Sequence, residues 1–347
     1  MKIFIDFHHG ALLRWMFYLF ADRLGHEVGL VGSGLCGEVS QIADPGTWGA
    51  MYEMGLTNIG ITDAEKARCT YTFIESIEEL QDTKWDAMVL TRTESQKLLR
   101  QLGYPNRNLE AKYVGVSGNE GSYYDWMWVK NVMASDLMTY KYTQGADVNK
   151  IHVPQELGRA YDQGFVPIKE ENLHNIYAFL NNIRGYDQDI KVRNSVQRVN
   201  IYKLWTELQE AMPEYTFSCW GHGNEDIGSQ CITENVLAPY YHEAAMVWHY
   251  KTYEGYGHAL LQSLPAGRPV IVPRGFYDDR TAGAYLDDEN AFFCGYDLES
   301  VRAAILENTA SLETANRKAR STYDSYKKRF DWEHEARRVA EWVEAWK

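Results

Sequence analysis

The sequence is poor in the features that disulfide frameworks, zinc sites and membrane spans require. Its 347 residues include five cysteines, and no two of them form a C-x-x-C pair. An odd, scattered set of cysteines indicates neither a disulfide framework nor a zinc site. No stretch reaches the roughly 18 uninterrupted apolar residues of a membrane-spanning helix, and the apolar run 12–20 contains Arg14 and lacks a signal-peptide cleavage site. We therefore expect a cytoplasmic protein without membrane insertion or an essential metal.

Basic residues are also in the minority. The 35 lysines and arginines against 48 acidic residues give a formal net charge of −13. This charge argues against a protein that coats nucleic acid broadly, because such binding needs clustered cations. It does not exclude a local basic groove. Aromatic residues reach 14%, which fits either large cores or surfaces that stack on sugars or bases.

The pattern of apolar runs predicts an α/β protein. The chain opens with a strand at 2–7, a helix at 11–24 and a strand at 26–31, and this β-α-β order implies parallel strands. The remaining elements of the first half are strands at 87–90, 112–116 and 131–134 and a helix at 94–102. Residues 45–69 give mixed signals and are not assigned. Residues 153–171 lose periodicity and contain two prolines, as a linker between domains would.

The alternation of strands and helices restarts after this linker. The predicted strands are 176–180, 215–220, 244–249, 269–273 and 291–294, with helices at 200–212 and 332–346. The length and the restart predict two Rossmann-like domains, residues 1–160 and 161–330. A ligand is then expected in the cleft facing the carboxyl ends of the strands.

One glycine-rich segment offers an alternative site. Residues 32–37, GSGLCG, fit the G-x-G-x-x-G pattern. A dinucleotide fingerprint belongs in the first βα turn of its unit and opens a helix, whereas this segment follows the second strand. We interpret it as a glycine loop at a strand end. An NAD-dependent oxidoreductase using Gly32 to Gly37 remains the least favoured hypothesis.

A sharper signal lies at 250–273, YKTYEGYGHALLQSLPAGRPVIVP. Glu254, Gly255, Tyr256 and Gly257 form a tight loop whose amides can approach an anion. The helix predicted from His258 adds its partial positive charge. A loop, a helix N-terminus and a buried strand together make an edge suited to phosphate.

This stretch resembles the donor-binding signature of GT-B nucleotide-sugar glycosyltransferases. The retaining group reads E-G-F/Y-G-x-x-x-x-E-A/S-x-A/S-x-G-x-P-V. The matching positions are Glu254, Gly255, Tyr256, Gly257, Leu261, Ser263, Ala266, Gly267, Pro269 and Val270. The resemblance implies two Rossmann-like domains facing each other across a cleft. It also implies that the C-terminal helix, about 331–347, crosses back to the first domain.

The resemblance also assigns roles by position. Glu254 would be the catalytic acid that contacts sugar hydroxyls of the donor, and Glu254→Ala should abolish transfer while leaving the fold intact. Gly255, Tyr256, Gly257 and His258 would contact the diphosphate or the sugar. Gln262 stands where the family has a second acid and would hold the ribose diol. If one helix runs through both, Gln262 lies two turns beyond Glu254 on the same face.

Further donor contacts are expected from a basic segment at 181–198. In the family, the loop after the first strand of the second domain gives cations to the diphosphate. The candidates here are Arg184, Lys191, Arg193 and Arg198, of which Arg184 and Lys191 are favoured, and a solvated surface role is an equal alternative. Gly221 opens the loop after the strand at 215–220. In the first domain, His9 and Gly10 follow the first strand, where such enzymes bring a glycine-containing loop over the donor.

These features predict a glycosyltransferase, a hexosyl- or pentosyltransferase, that moves a sugar from a nucleoside diphosphate donor to an acceptor hydroxyl without a further cofactor. A loose resemblance to bacteriophage glycosyltransferases suggests a hydroxymethylated DNA base as acceptor, and protein, lipid and small molecules remain open. The alternative is a non-catalytic nucleotide- or glycan-binding protein on this fold, supported by Gln262. Retention or inversion and the oligomeric state also stay open.

Overall fold

The structure is a computed structural model that describes residues 1–6, 9–42, 53–118, 124–125, 127–143, 146–192, 195–224, 228–229 and 234–346. The chain forms two compact units. Unit 1 comprises Met1–Glu156 and Asp331–Lys347, and unit 2 comprises Leu157–Phe330. The predicted fold class is confirmed, because each unit is an α/β structure built on a parallel sheet. None of the described helices combines the length and the apolar character needed to span a bilayer.

Unit 1 contains a seven-stranded parallel sheet in the order β3-β2-β1-β4-β5-β6-β7. The strands are β1 (Lys2–Asp6), β2 (Glu27–Val31), β3 (Tyr71–Ile74), β4 (Ala87–Leu90), β5 (Lys112–Ser117), β6 (Asn131–Ala134) and β7 (Asn149–His152). All residues of β4 and β6 are buried. Strands of a covered parallel sheet read as continuous apolar runs, which is why β4 and β6 occupy the predicted residues.

Within the described part of unit 1, seven helices connect these strands. They are α1 (Gly10–Met16), α2 (Ser33–Val39), α3 (Glu53–Asn58), α4 (Asp63–Ala67), α5 (Ile77–Asp82), α6 (Thr93–Gln101) and α7 (Leu137–Tyr142). A π-helical segment, Phe17–Arg23, extends α1. Gly25 then adopts a positive φ of 64°, as expected of a residue that ends a helix.

Unit 2 contains a six-stranded parallel sheet in the order β12-β11-β8-β13-β14-β15, and a separate antiparallel pair, β9 and β10. The strands are β8 (Asn175–Phe179), β9 (Asp187–Val192), β10 (Ser195–Asn200), β11 (Thr216–Trp220), β12 (Gly228–Ser229), β13 (Met246–Trp248), β14 (Val270–Pro273) and β15 (Ala291–Cys294). The helices are α8 (Ile201–Ala211), α9 (Glu234–Glu243), α10 (His258–Leu261), α11 (Leu298–Asn308) and α12 (Leu312–Arg329).

The last helix, α13 (Trp332–Glu344), belongs to unit 1. Trp346 packs its ring 6.3 Å from the ring of Phe20, in an edge-to-face arrangement. The Asn149 side chain donates to the carbonyl of Ala345 at 3.1 Å, and Arg338 donates to the carbonyl of His152 at 3.2 Å. The apolar stripe of this helix therefore returns the end of the chain to the first unit, as predicted.

Candidate functional site

In the sheet of unit 2, the chain adds strands on one side of β8 and then reverses to add β13 on the other side. Strand β8 pairs with β11 on one side and with β13 on the other, whereas the chain visits β11 and β12 before it returns to β13. Such a switch point leaves a crevice at the carboxyl ends of the strands, where ligands of open α/β sheets bind. His249 follows β13 directly, so the segment 250–257 begins at this crevice.

Glu254 lies in this segment, and four donors hold its carboxylate. Oε2 accepts from His249 Nε2 at 2.7 Å and from the Tyr277 hydroxyl at 3.4 Å. Oε1 accepts from Lys251 Nζ and from the Gly255 backbone N–H, both at 3.2 Å. The residue is only 5% exposed. Since a carboxylate offers about four acceptor positions, this network occupies all of them.

The surrounding groups keep Glu254 ionised. Burial alone would raise the pKa of Glu254, but the Lys251 ammonium and the His249 hydrogen bond outweigh it and lower the pKa to about 2. Burial lowers the pKa of His249, and its contact with Glu254 only partly offsets this. Near neutral pH the pair is therefore a carboxylate and a neutral imidazole whose Nε2–H is the donor.

Gly257 holds a conformation that a side chain would disturb. Its φ is +93°, and a Cβ would lie 2.8 Å from the Cβ of Ala282. We predict that Gly257→Ala lowers the free energy of unfolding by about 1–3 kcal/mol, because left-handed strain and overlap add. Gly37→Ala is the matched control, since Gly37 lies in α2 with no atom within 4 Å of its Cβ position. Urea unfolding of both variants measures the difference, and equal stabilities would contradict the prediction.

Gln262 does not lie on a continuous helix with Glu254. Helix α10 covers only His258–Leu261, and residues 254–257 are not helical. The predicted placement two helical turns apart is therefore wrong, because Gly257 breaks the helical path. Gln262 is 2% exposed, and its Oε1 accepts from the Tyr241 hydroxyl at 3.4 Å.

The basic segment at 181–198 is not the predicted loop. After a short 3₁₀ turn, Ile183–Gly185, it forms the hairpin of β9 and β10. Arg184 places its guanidinium 4.7 Å from the ring centre of Tyr202 and donates to its hydroxyl at 3.3 Å. Arg198 forms an ion pair with Asp187 at 3.0 Å. The side chain of Lys191 and all of Arg193 lie outside the described residues.

The beginning of this hairpin lies close to segment 250–257, which contains Glu254. Gln188 Nε2 donates to the Thr252 hydroxyl. Burial raises the pKa of Tyr186, while the charge of Lys251 lowers it and the charge of Glu254 raises it. The hairpin therefore brings Tyr186 and Gln188 to the segment that carries the predicted donor motif.

Gly221, His9 and Gly10 each have a local structural role. Gly221 has a φ of +156°, and a Cβ there would lie 2.2 Å from the carbonyl oxygen of Leu180, so only glycine fits. In unit 1, His9 precedes α1, and its Nδ1 accepts from the Ala11 backbone N–H at 3.3 Å. Gly10 starts α1, and a Cβ there would lie 2.6 Å from Cγ2 of Ile59.

The glycine segment 32–37 opens α2, with Gly32 as the residue before the helix. Its interpretation as a loop at a strand end is therefore wrong, because Ser33–Val39 are helical. The backbone N–H of Gly34 donates to the Glu75 carboxylate at 2.7 Å, and a Cβ on Gly32 would overlap that carboxylate. Glu75 thus occupies a backbone N–H of the kind that a dinucleotide phosphate would need at a helix N-terminus, so this segment does not support the oxidoreductase hypothesis.

Three partners of Glu254 were not among the predicted site residues. His249 and Lys251 lie within five positions of Glu254, so a polar pair beside the motif acid was the available signal. Tyr277 is 23 positions away and reaches Glu254 only through the fold. No sequence pattern indicated it.

Comparison with known proteins establishes the fold. No family model matches the chain, and no curated protein matches it in sequence. HepE from Anabaena, solved in complex with UDP, is similar over 99% of both chains with a TM-score of 0.62 and 10% identity. Sucrose-phosphate synthase from Thermosynechococcus elongatus is similar over 99% of this chain and 98% of its own, with a TM-score of 0.61 and 12% identity.

A third similar structure is an α-glucosyltransferase in complex with UDP and a 13-mer DNA that contains a hydroxymethyluracil base. It covers 99% of both chains, with a TM-score of 0.61 and 10% identity. At such identities the likeness shows the fold alone. The chain has the GT-B fold, as predicted, and a fold by itself does not determine the reaction.

Proposed function

We propose that the chain is a glycosyltransferase that binds a nucleoside diphosphate sugar in unit 2 and transfers the sugar to an acceptor hydroxyl. The observation that carries the proposal is the E-G-Y-G segment at the switch point of unit 2. There the fold offers a ligand crevice, and an ionised Glu254 is fixed beside Lys251. The likeness over the whole chain to glycosyltransferases, two of them solved with UDP, supports it.

The charges of this segment suit departure of a diphosphate. In the transfer, the acceptor oxygen bonds to the anomeric carbon while the bond from that carbon to the phosphate oxygen breaks. The electron pair leaves with the diphosphate, and the proton of the acceptor hydroxyl passes to the departing phosphate oxygen. Lys251, whose side chain is 17% exposed, puts an ammonium near the segment, where a fixed cation stabilises developing phosphate charge. A sugar hydroxyl would displace the long Tyr277 contact to reach Glu254.

Nucleotide binding tests the donor half of this proposal. We expect UDP to bind in titration calorimetry and NAD⁺ not to bind. The release of UDP from UDP-hexoses and UDP-pentoses then identifies the sugar class. Stabilisation by NAD⁺ without any response to UDP would contradict the proposal. UDP binding without turnover of any sugar donor would favour the non-catalytic alternative.

A hydroxymethylated DNA base is the acceptor we propose to test first. It is supported by the similarity to the α-glucosyltransferase solved with hydroxymethyluracil DNA. We expect an oligonucleotide with this base to accelerate UDP release, and the same oligonucleotide with thymine to leave it unchanged. The base must leave the duplex stack to react, so single-stranded and duplex forms should be compared.

A further inference from the structure

The sheet of unit 1 has a switch point of its own, between β1 and β4. Strand β1 pairs with β2 and with β4, and the chain visits β2 and β3 before it crosses to β4. Asp6 is the last residue of β1 and lies opposite Leu90, the last residue of β4. Thr91 follows directly. A crevice for a ligand is expected at this edge.

Three side chains bury oxygen atoms there without partners. Asp6, Thr91 and Ser95 are each 3% exposed. Both carboxylate oxygens of Asp6 and the hydroxyls of Thr91 and Ser95 lack a hydrogen-bond partner among the described residues. Buried polar atoms without partners cost free energy, and a carboxylate costs the most. The folded chain therefore retains an unfavourable arrangement at this position.

Another aspartate at the same edge shows how the fold satisfies a structural carboxylate. Asp136 follows β6 and is fully buried. One of its oxygens accepts from the Thr139 backbone N–H at 2.7 Å, and the other accepts from the Ser117 hydroxyl. Asp136 thus caps α7 and ties two strands together. Asp6 does neither.

The groups around Asp6 are engaged elsewhere or only partly compensate its charge. The Arg92 guanidinium pairs with Glu94 at 3.1 Å. The Tyr124 hydroxyl donates to the carbonyls of Leu90 and Val116. Burial raises the pKa of Asp6 to about 7, and the influence of the Ser95 hydroxyl and of the Arg92 guanidinium only partly offsets this rise.

We propose that Asp6, Thr91 and Ser95 form a subsite for a hydroxyl group of the acceptor. A hydroxyl donates one hydrogen bond and accepts two, so it can donate to Asp6 and accept from the Ser95 and Thr91 hydroxyls. An anionic ligand is disfavoured, because it would place a second negative charge beside Asp6. The identification of the ligand as an acceptor rests on the proposed function. The existence of the subsite does not.

Asp6→Asn tests the subsite by stability and by turnover. A raised native pKa means that the folded chain binds more protons than the unfolded chain between 3.8 and about 7, so stability falls as pH rises through that window. We expect Asp6→Asn to melt above wild type at pH values higher than 7. Asp136→Asn, the matched control, should melt below wild type because the new amide nitrogen cannot accept the hydrogen bond from the buried Ser117 hydroxyl.

Glycerol serves as the hydroxyl probe. In saturating UDP-sugar, we expect Asp6→Asn to raise the KM for glycerol about tenfold, which corresponds to one hydrogen bond to a charged group. Its affinity for UDP, measured by calorimetry, should stay that of wild type. Ser95→Ala should show a smaller change in the same direction. Independently of any donor, molar glycerol should raise the melting temperature of wild type more than that of Asp6→Asn.

Two results would overturn the subsite. If Asp6→Asn lowers the melting temperature as Asp136→Asn does, Asp6 is a structural residue. If glycerol stabilises wild type and Asp6→Asn equally, the cluster holds a buried water only. Failure of the proposed function has a different signature, because wild type would then not bind UDP while the glycerol comparison still gives its result.

Discussion

Replacing Glu254 by alanine is expected to abolish sugar transfer and to destabilise unit 2 at the same time. The substitution removes the acceptor of four hydrogen bonds and leaves the Lys251 ammonium and the buried His249 without their partner. Removing one member of a buried ion pair costs about 3–5 kcal/mol. The sequence-based expectation that this variant leaves the fold intact conflicts with the structure, because Glu254 is a buried group.

Glu254→Gln separates the two effects. The amide keeps the volume and one acceptor oxygen but loses the charge, so we expect a smaller loss of stability and still a large loss of kcat/KM, of about a hundredfold. Glu299→Ala is the matched control, because Glu299 is an exposed acid of α11 in the same unit. Thermal unfolding followed by circular dichroism and UDP release measure both quantities. Wild-type turnover in Glu254→Ala would refute the assignment of this residue.

The pH dependence of stability gives an independent check on Glu254. Its native pKa of about 2 lies below the ordinary 4.5. The carboxylate therefore contributes stability that is present above pH 4.5 and is lost as the pH falls through the native pKa. Glu254→Gln should flatten the acid limb of the stability curve in this window. An unchanged acid limb would mean that other carboxylates dominate it.

The parallel strands were predictable because a strand that is buried on both faces requires a continuous run of apolar residues. Strands β4, β6 and β15 occupy the predicted residues. The β9–β10 hairpin was not predicted, since charged and polar residues predominate in its strands, and Lys191 and Arg198 were interpreted as part of a basic loop. Strands β3 and β7 were also missed. They lie at the two edges of the sheet of unit 1, where polar and half-buried residues dilute the apolar pattern.

The candidate site was predictable only as far as its local motif extends. The E-G-Y-G segment indicates a tight turn that carries an acid, so Glu254 and the glycines beside it could be predicted as site residues. Tyr277 reaches Glu254 only through the tertiary fold, since it lies 23 positions further along the chain. Asp6 was not predicted for a different reason: a single acid at the end of a β-rich run is typical of a strand boundary. Only its burial without partners marks it out.

Arg268 is the second residue whose replacement should have a large effect. It belongs to the A-G-R-P segment before β14 and is completely buried. Its guanidinium donates to the carbonyls of Val166 and Ala266, each at 2.9 Å, and to that of His242 at 2.6 Å. Burial lowers the pKa of Arg268 to about 10, so it stays charged at neutral pH. One side chain thus ties residue 166 of the predicted linker to the end of α9 and to the turn before β14.

Arg268→Met should therefore lower the free energy of unfolding by about 3–5 kcal/mol, since it leaves three carbonyls without their donor. Each charge-assisted hydrogen bond contributes about 1.5–3 kcal/mol, and the cost of burying the charge offsets part of that sum. Arg268→Lys should recover part of the loss, because one ammonium keeps the charge but lacks the planar fork that reaches all three oxygens. Arg302→Met is the matched control, as Arg302 is exposed on α11. Denaturant unfolding of the three variants orders them. A stability of Arg268→Met within about 1 kcal/mol of wild type would show that the cost of desolvating the guanidinium cancels its hydrogen bonds.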